Sequence, residues 1–308
     1  MVVAGGAGET ISAALTWARR VLVEAQVDSP HLDAELLLAH ALGWRRTQLH
    51  TSTEQLIRSQ EQARYARLIA RRARREPLPY LVGHREFYGL DFFVDQRVLI
   101  PRPETELLVE QAIFQGTCIL ESRGRLAIAD VGTGCGAIAI ALALHLSLAE
   151  VYAIDISSPA LEVAAHNCRR HDVQGQLHLL PGDLLAPLPQ SVDLVVANLP
   201  YVALAEVATL PPEISSYEPQ VAWDGGVDGL AVIQRLLAQA GGYLNRGGSI
   251  LLEIGATQRS AVQNLAVRSF PTAAVQVFRD GVGLDRVVSV APAGNGMRTR
   301  REKWPRLE

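Results

Sequence analysis

Cysteine is scarce in this sequence, and the few cysteines that it has are far apart. Cys118, Cys135 and Cys168 are odd in number and form no C-x-x-C pair, so neither a disulfide framework nor a zinc site is expected. The histidines show no metal-ligand spacing either, and we predict no metal site. Unpaired thiols are typical of a reducing compartment, which favours a cytoplasmic location.

The sequence also has few aromatic residues, no large excess of either charge and no long apolar run. Aromatic residues make up 6% of the chain and the formal net charge is −3, which excludes bulk electrostatic attraction to nucleic acid as the main source of function. The longest apolar stretch, residues 137–149, is shorter than the about 20 residues that cross a bilayer. The start of the chain lacks the basic-then-apolar pattern of a signal peptide. We therefore expect no membrane segment and no stable binding to nucleic acid.

The chain opens with a segment rich in alanine, leucine, arginine and glutamate. Residues 10–76 hold three amphipathic stretches, which predict a helical bundle over residues 1–76. Prolines end this segment. Aromatic and β-branched residues on both sides of Gly89 then predict a β-hairpin in a linking segment, residues 77–101.

An arginine run lies inside the helical segment, between Arg58 and Arg75. Such a run is most often a solvated face of a helix, and we predict one here. If the face meets a partner protein instead, its charge would steer an acidic surface toward it.

From residue 125 the sequence alternates between short apolar runs and helical stretches. Near-continuous apolar strands separated by helices predict a parallel sheet that is covered on both faces. The last two strands, residues 273–280 and 286–292, have no helix between them, which predicts an antiparallel hairpin at the sheet edge. We therefore expect an α/β domain over residues 102–292, with a mostly parallel sheet, and a disordered basic tail over residues 293–308.

A glycine-rich loop, "DVGTGCGAIAI" (residues 130–140), follows the first of these strands. Gly132, Gly134 and Gly136 let the backbone turn sharply and approach a ligand, at the edge where a doubly wound sheet binds nucleotide-like molecules. Asp155 ends the second strand and offers a carboxylate to ribose hydroxyls. The loop alone fits a dinucleotide site as well as a methyl-donor site, and it also fits a turn that only packs a helix on a strand. The lack of G-K-[ST] excludes a Walker loop.

The fourth strand ends in an amide, a rigid turn and an aromatic ring, in "VVANLPY" (residues 195–201). The Asn198 side-chain oxygen accepts a hydrogen bond. Pro200 fixes the backbone, so that the carbonyls of Leu199 and Pro200 can point at one spot, and Tyr201 offers a flat face. The complement is a planar NH₂ group on a conjugated system: the amine of adenine or cytosine, or the carboxamide of glutamine or asparagine. A strand end with a turn proline is the plainer alternative.

Such a nitrogen accepts a methyl group when it lies beside an adenosyl sulfonium. The nitrogen is a poor nucleophile because its lone pair is delocalised. Hydrogen bonds accepted from its N–H groups push electron density back onto it, and in-line alignment contributes roughly 7–11 kcal/mol to lowering a barrier. No strong general base is needed, since the methylated nitrogen becomes acidic as it forms.

Several longer segments carry a resemblance to a known family. The segments are "LIPRPETELLVE" (99–110), "YEPQVAWDGGVDGL" (217–230), "LLEIGATQ" (251–258) and "DGVGLDRVV" (280–288). With the glycine loop and the Asn-x-Pro-Tyr turn, they resemble the glutamine methyltransferases that modify peptide-chain release factors. The resemblance runs from roughly residue 10 to residue 292. It implies a class I methyltransferase domain with a Rossmann-like sheet, S-adenosyl-L-methionine as the cofactor, release factors as the substrate, and a helical domain that recognises the substrate.

The resemblance also implies roles for individual residues. The implied cofactor-binding residues are Gly132, Thr133, Gly134, Cys135, Gly136, Asp155, Asp183, Leu184 and Asn198. The implied catalytic residues are Asn198, Pro200 and Tyr201. The implied substrate-binding residues are Arg102, Glu104, Asn198, Leu199, Pro200 and Tyr201. Glu106 would lie beside them, and Glu218 is either a lid residue or a solvated carboxylate.

Three classes of function stay open. The first is methylation of a glutamine carboxamide in a release factor, by a protein expected to be a monomer. The second is adenine-N6 methylation of RNA or DNA, because Leu199 replaces the family's usual proline and Asn-Leu-Pro-Tyr also occurs in adenine dimethylases of ribosomal RNA. It predicts a basic groove with stacking aromatics. The third is an NAD-dependent oxidoreductase, which rests on the glycine loop alone. A binding module without activity is weaker, because the cofactor and acceptor motifs converge on one crevice.

Overall fold

The structure is a computed structural model, and it describes residues 9–292. The helices are α1 (Ile11–Glu24), α2 (Pro30–Leu42), α3 (Arg46–Thr51), α4 (Ser59–Arg72), α5 (Leu78–Val82), α6 (Glu106–Arg123), α7 (Ala137–His145), α8 (Ser158–Arg170), α9 (Pro212–Ser215), α10 (Ala231–Ala240) and α11 (Arg259–Ser269). The strands are β1 (His84–Phe87), β2 (Leu90–Phe93), β3 (Leu126–Val131), β4 (Ala149–Asp155), β5 (Leu177–Pro181), β6 (Val192–Ala197), β7 (Leu244–Glu253), β8 (Ala274–Arg279) and β9 (Asp285–Ala291). No helix in this described part has the length and apolar character needed to cross a membrane.

The chain divides into a helical unit and an α/β unit. The helical unit holds the chain as far as Arg85, together with Phe93–Gln96 and Thr209–Pro219. The α/β unit holds the remaining segments. The predicted boundaries near residues 76 and 101 stay predictions, and the predicted tail lies outside the described residues.

The helical unit is built on apolar stripes of α1, α2 and α4. The Thr10 hydroxyl accepts a hydrogen bond from the Ala13 N–H at 3.2 Å and so caps the start of α1. Gly43 ends α2 in the left-handed conformation, with φ of 69°. The Tyr65 ring of α4 is buried, and its hydroxyl donates to the Ala34 carbonyl oxygen at 3.0 Å. These contacts confirm the N-terminal helices.

The prediction of a solvated arginine face is wrong for two of the arginines. Arg72 is 6% exposed, and it donates to Asp33 Oδ2 at 2.7 Å and to Glu213 Oε1 at 2.9 Å. Arg75 donates to both carboxylate oxygens of Glu213, at 2.6 and 2.8 Å. The acidic partners lie far along the chain, so no local pattern around the run indicates them.

The α/β unit contains a seven-stranded sheet in the order β5-β4-β3-β6-β7-β9-β8. Strands β3 to β7 pair in parallel, whereas β9 pairs antiparallel with both β7 and β8. The β6 residues Leu194–Ala197 are completely buried, as expected for a strand that is covered on both faces. The mostly parallel sheet and its terminal antiparallel hairpin confirm the predicted fold class.

The strand order reverses between β3 and β6, which pair with each other while β4 lies on the other side of β3. Ligands of open α/β sheets bind beyond the carboxyl ends of the strands at such a switch point. The strands β3, β4, β6 and β7 end there at Val131, Asp155, Ala197 and Glu253. We refer to these four strand ends and the residues that directly follow them as the carboxyl edge.

Candidate functional site

The glycine loop leaves β3 at the carboxyl edge in a conformation that favours glycine. Gly132, Gly134 and Gly136 have φ of 76°, 55° and 85°. A Cβ on Gly132 would lie 3.3 Å from Leu199 Cδ2, whereas a Cβ on Gly134 would have no protein atom within 4 Å. The loop is therefore packed on one side and open on the other.

The main chain of the loop is fixed to the end of β4. The N–H groups of Gly132 and Thr133 both donate to the Ile154 carbonyl oxygen at 2.9 Å. The Gly134 N–H donates to Asp155 Oδ2, also at 2.9 Å. These N–H groups are used inside the protein, and they hold the loop beside the Asp155 carboxylate.

A buried carboxyl group lies beneath the loop. Asp130, at 0% exposure, accepts hydrogen bonds at Oδ2 from the Thr133 hydroxyl at 2.6 Å and from the Ala139 N–H at 3.2 Å. Burial raises the pKa of Asp130 to about 7, although both hydrogen bonds lower it. Ala139 belongs to the first turn of α7, the end of the helix that holds the pyrophosphate in dinucleotide sites. Here the Asp130 carboxyl group accepts that N–H, which disfavours a phosphate group of NAD at this position.

Asp155 ends β4 with both of its carboxylate oxygens oriented by the main chain. Oδ1 accepts from the Ser157 N–H at 2.8 Å, and Oδ2 accepts from Gly134. Burial raises the pKa of Asp155, against these hydrogen bonds. The next side chain, Ile156, is 61% exposed. A carboxylate with spare lone pairs thus lies next to an exposed apolar side chain, which suits a ribose joined to a flat base.

Asn198 follows β6 and is oriented by a residue from a distant part of the sequence. Its side-chain Nδ2 donates to Thr105 Oγ1 at 3.1 Å. Thr105 ends the short 3₁₀ helix Pro103–Thr105 and is 4% exposed. The nitrogen of the Asn198 amide therefore faces Thr105, and its oxygen, which only accepts hydrogen bonds, faces away from Thr105.

Tyr201 is held at both its hydroxyl and its carbonyl. The hydroxyl donates to Glu253 Oε1 at 3.4 Å, and the carbonyl oxygen accepts from Gln258 Nε2 at 2.9 Å. Burial raises the pKa of the Tyr201 hydroxyl. We refer to residues 198–201 as the acceptor turn. Glu253 ends β7 and is 2% exposed, so its carboxyl group, which accepts from Tyr201, is buried beside this turn.

Comparison with known proteins identifies relatives of this chain. The family described as "PrmC N-terminal domain" matches residues 13–83, and the family "Ribosomal protein L11 methyltransferase (PrmA)" matches residues 115–220. A release factor glutamine methyltransferase of Moorella thermoacetica is 43% identical over 278 residues, which cover 90% of this chain and 96% of that protein. One of Geobacter sulfurreducens is 39% identical over 282 residues, which cover 91% and 95%.

The chain belongs to the release factor glutamine methyltransferase family. A solved structure of a protein-(glutamine-N5) methyltransferase from Alicyclobacillus acidocaldarius is 29% identical, with a TM-score of 0.39 over 65% of this chain and 99% of that one. The membership rests on the sequence relatives, which span nearly the whole chain.

Several residues that the resemblance implied for this release factor glutamine methyltransferase have buried side chains. The exposed fractions are 6% for Thr133, 3% for Cys135, 4% for Leu199 and 6% for Leu184. Burial raises the pKa of the Cys135 thiol to about 12, so the thiol is un-ionised at neutral pH. These four residues therefore expose little of their surface, and the cofactor and substrate contacts predicted for them stay predictions.

The charged residues that were predicted beside the site have defined surroundings. Glu106 Oε1 accepts from the Tyr88 N–H at 3.0 Å, which joins the start of α6 to the hairpin turn. Burial is the main cause that raises the pKa values of Tyr201 and Glu253. The charge of Arg102 opposes the shift of Tyr201, and the charge of Glu104 adds to the shift of Glu253.

Two further acidic residues, Asp183 and Glu218, also have defined surroundings, and the cofactor contact predicted for Asp183 stays a prediction. Asp183 follows β5 and forms an ion pair with Arg235. Glu218 lies in the Thr209–Pro219 segment of the helical unit and is 5% exposed, so it is not a solvated carboxylate.

Sequence reasoning missed three polar residues of the site in this family member: Asp130, Thr105 and Glu253. All three stand inside the segments that carry the resemblance. A signal for two of them was present, because Asp130 and Glu253 are charged residues within otherwise apolar strands, the same anomaly that drew attention to Asn198. Thr105 gives no such signal, since its partner Asn198 is 93 residues away.

Proposed function

We propose that this protein transfers a methyl group from S-adenosyl-L-methionine to the side-chain amide nitrogen of a glutamine in a peptide-chain release factor. The observation that carries the proposal is the hydrogen bond that turns the Asn198 amide nitrogen toward Thr105 and so leaves the amide oxygen on the opposite side. Relatives that bear the name of this activity, at up to 43% identity over most of the chain, support the substrate. Since release factors work in translation, the activity belongs to the cytoplasm.

The carboxyl edge offers groups that fit S-adenosyl-L-methionine. Asp155 would accept hydrogen bonds from the ribose hydroxyls, and Ile156 would pack against the adenine ring. Gly134 leaves open space where a Cβ would otherwise stand. Asp130 contributes a buried Oδ1 that has no hydrogen-bond partner in the described part of the chain, and its carboxyl group favours a ligand without phosphates at this helix end. When bound, the cofactor supplies an electrophilic methyl group on a sulfonium sulfur.

The residues of the acceptor turn would prepare the glutamine nitrogen. Asn198 Oδ1 would accept a hydrogen bond from one N–H of the glutamine amide. A main-chain carbonyl oxygen of Leu199 or Pro200 would accept a hydrogen bond from the other N–H. Both hydrogen bonds raise the electron density on the nitrogen and stabilise the positive charge that develops there, an effect of about 10²–10³-fold per well-placed group in comparable sites. The extra proton leaves from the methylated nitrogen, which is acidic, so no residue has to act as a strong base.

The proposal divides these tasks along the chain. Residues 102–292 bind the cofactor and the amide, residues 77–101 link, and residues 1–76 recognise the release factor. Adenine-N6 methylation uses the same hydrogen-bonding pattern, but the relatives, the net charge of −3 and an aromatic content of 6% do not favour it.

The test supplies methyl-labelled S-adenosyl-L-methionine with purified release factors in one reaction and ribosomal RNA in another. Label should enter the release factor, and a release factor whose target glutamine is replaced by alanine is the matched control. Asn198→Ala should still bind the cofactor in calorimetry but lose at least about 10²-fold in turnover. Label in the RNA and none in the release factor would overturn the proposal.

A further inference from the structure

The side chain of Gln258 joins three separate segments at the carboxyl edge. Its Nε2 donates to the Tyr201 carbonyl oxygen at 2.9 Å and to the Gly229 carbonyl oxygen at 3.3 Å. Its Oε1 accepts from the Gly255 N–H at 2.9 Å. All four residues belong to the α/β unit. One side chain therefore connects the acceptor turn, the loop that contains Gly229 and the segment that follows β7.

The partners of Gln258 fix the orientation of its amide group. A main-chain carbonyl oxygen only accepts hydrogen bonds, and a main-chain N–H only donates. The amide nitrogen must therefore face Tyr201 and Gly229, since the reversed amide would bring its oxygen against two carbonyl oxygens. The side chain also starts from a fixed point, because the Gln258 carbonyl oxygen accepts from the Val262 N–H in the first turn of α11 at 2.9 Å.

Gly229 lets its loop approach the acceptor turn closely. Its φ is 75°, and a Cβ there would lie 2.3 Å from the Tyr201 carbonyl oxygen and 2.6 Å from Gln258 Nε2. Nonbonded atoms cannot approach so closely, so a side chain at this position would push the loop away from the turn. The two hydrogen bonds that Gln258 donates thus depend on a glycine at position 229.

Main-chain hydrogen bonds continue this contact beyond the acceptor turn. The Val202 N–H donates to the Trp223 carbonyl oxygen at 2.9 Å, and the Gly225 N–H donates to the Val202 carbonyl oxygen at 2.9 Å. The chain that leaves the acceptor turn is therefore paired with residues 223–225. Gln258 joins the two segments at the end of this pairing that lies next to the acceptor turn.

We propose that Gln258 is a positioning residue that fixes the main chain of the acceptor turn for the methyl transfer. Leu199 is 4% exposed and anchors the first half of the turn, and the ring of Pro200 restricts the backbone. The direction of the Pro200 carbonyl oxygen then depends on what holds Tyr201, the next residue, and Gln258 holds its main chain. This proposal rests on the proposed function, because the Pro200 carbonyl oxygen is one of the acceptors proposed for the glutamine amide.

Kinetics on the release factor test this role. Gln258→Met keeps the approximate length of the side chain but has no N–H group to donate. Its kcat should fall at least about tenfold, because small misplacements cost up to about 10²-fold. The KM for the release factor should change less, and calorimetry should show unchanged affinity and stoichiometry for S-adenosyl-L-methionine. An unchanged kcat, or a loss of cofactor affinity as large as the loss of kcat, would overturn the proposal.

Gly229→Ala tests the same contact from the other side. The added Cβ would displace the loop from Tyr201, and kcat should fall as it does in Gln258→Met. Gly124→Ala is the matched control, because Gly124 has a similar φ of 70° and a Cβ there would meet no protein atom within 4 Å. The control should keep its kcat. Equal losses of kcat in the two alanine variants would point to backbone strain alone and contradict the positioning role.

Hydrogen exchange followed by nuclear magnetic resonance separates this proposal from the proposed function, because it needs no substrate. The N–H groups of Val202 and Gly225 should exchange about two- to tenfold faster in Gln258→Met, as expected for the loss of a hydrogen bond. Those of Gly132 and Thr133 in the glycine loop should not change. Unchanged exchange at Val202 and Gly225 would refute the role of Gln258 while the proposed function stands. An unchanged protein that labels no release factor would refute the proposed function, and the exchange rates would still decide whether Gln258 holds the turn.

Discussion

Arg72 Nη1 lies 2.9 Å from Glu213 Oε1, although 141 residues separate the two in the sequence. Glu213 belongs to the segment Thr209–Pro219, which is part of the helical unit, while the residues on both sides of that segment belong to the α/β unit. The chain therefore passes from one unit into the other and back shortly after the acceptor turn. The ion pair fixes this excursion within the helical unit.

Replacing Glu213 by alanine should destabilise the helical unit. Arg72 is 6% exposed, and the change removes one of the carboxylates that its guanidinium contacts. Breaking a buried ion pair in this way lowers the free energy of unfolding by about 3–5 kcal/mol. Urea unfolding should show the loss of unfolding free energy. Glu61→Ala is the control, because its partner Arg58 is exposed. This change removes an exposed ion pair and the capping box at the start of α4, and its cost should be smaller. Equal losses in the two variants would contradict the buried pair.

A methyl group at Gly134 should reduce the affinity for the cofactor, with only a modest loss of stability of the folded protein. Gly134→Ala strains a left-handed φ of 55° but meets no protein atom within 4 Å, so stability should fall by only about 1–2 kcal/mol. The added Cβ stands in the space proposed for the cofactor, and calorimetry should show at least about tenfold weaker binding of S-adenosyl-L-methionine. Gly89→Ala, with φ of 73° and equally open surroundings, is the control and should leave the affinity unchanged.

Removal of the Asp155 carboxylate should reduce cofactor affinity. Hydrogen bonds to a charged group contribute about 1.5–3 kcal/mol each, so Asp155→Ala should bind S-adenosyl-L-methionine at least about tenfold more weakly. Asp183→Ala tests the competing assignment. Its carboxylate is paired with Arg235, and we expect a smaller loss. A larger loss of cofactor affinity in Asp183→Ala than in Asp155→Ala would contradict the assignment of Asp155 to the ribose.

Asp130 should make the protein less stable as the pH rises from acid toward neutral. Its pKa is about 7 in the folded protein, against a usual value of 3.8, so between these values the folded state holds a proton that the unfolded state has released. Unfolding free energy therefore falls with rising pH across this window and levels off above about 7. Urea unfolding at several pH values should show a shallower fall in Asp130→Asn, while an unchanged slope would contradict the shifted pKa.

The sequence was sufficient for features that are local or periodic. The apolar runs predicted strands β3 to β9 within a few residues, and the turn at Gly89 was found because its φ of 73° requires a residue such as glycine. The position of the site at the carboxyl edge could be predicted from the strand order of a doubly wound sheet. This order brings Asp155 and Asn198 toward the glycine loop. These predictions depend on residues that are close in sequence or on rules of chain topology.

Features that depend on side chains from distant segments were not predictable. The partners Arg72 and Glu213 lie on segments that no periodicity connects, and the six-residue helix α3 is too short to give a pattern. The cofactor contacts predicted for Thr133 and Cys135 stay predictions, and the motif did not indicate that both residues are buried. Which way a loop side chain points is decided by the packing beneath it.

The carboxyl group of Asp130 has a consequence for selectivity among small molecules. It accepts the Ala139 N–H in the first turn of α7, where ATP and nicotinamide dinucleotides place their phosphates in other proteins. These abundant cellular compounds share the adenosine part of the proposed methyl donor. Because Asp130 already accepts this N–H from within the protein, we expect phosphorylated adenosine compounds to compete poorly with the proposed methyl donor.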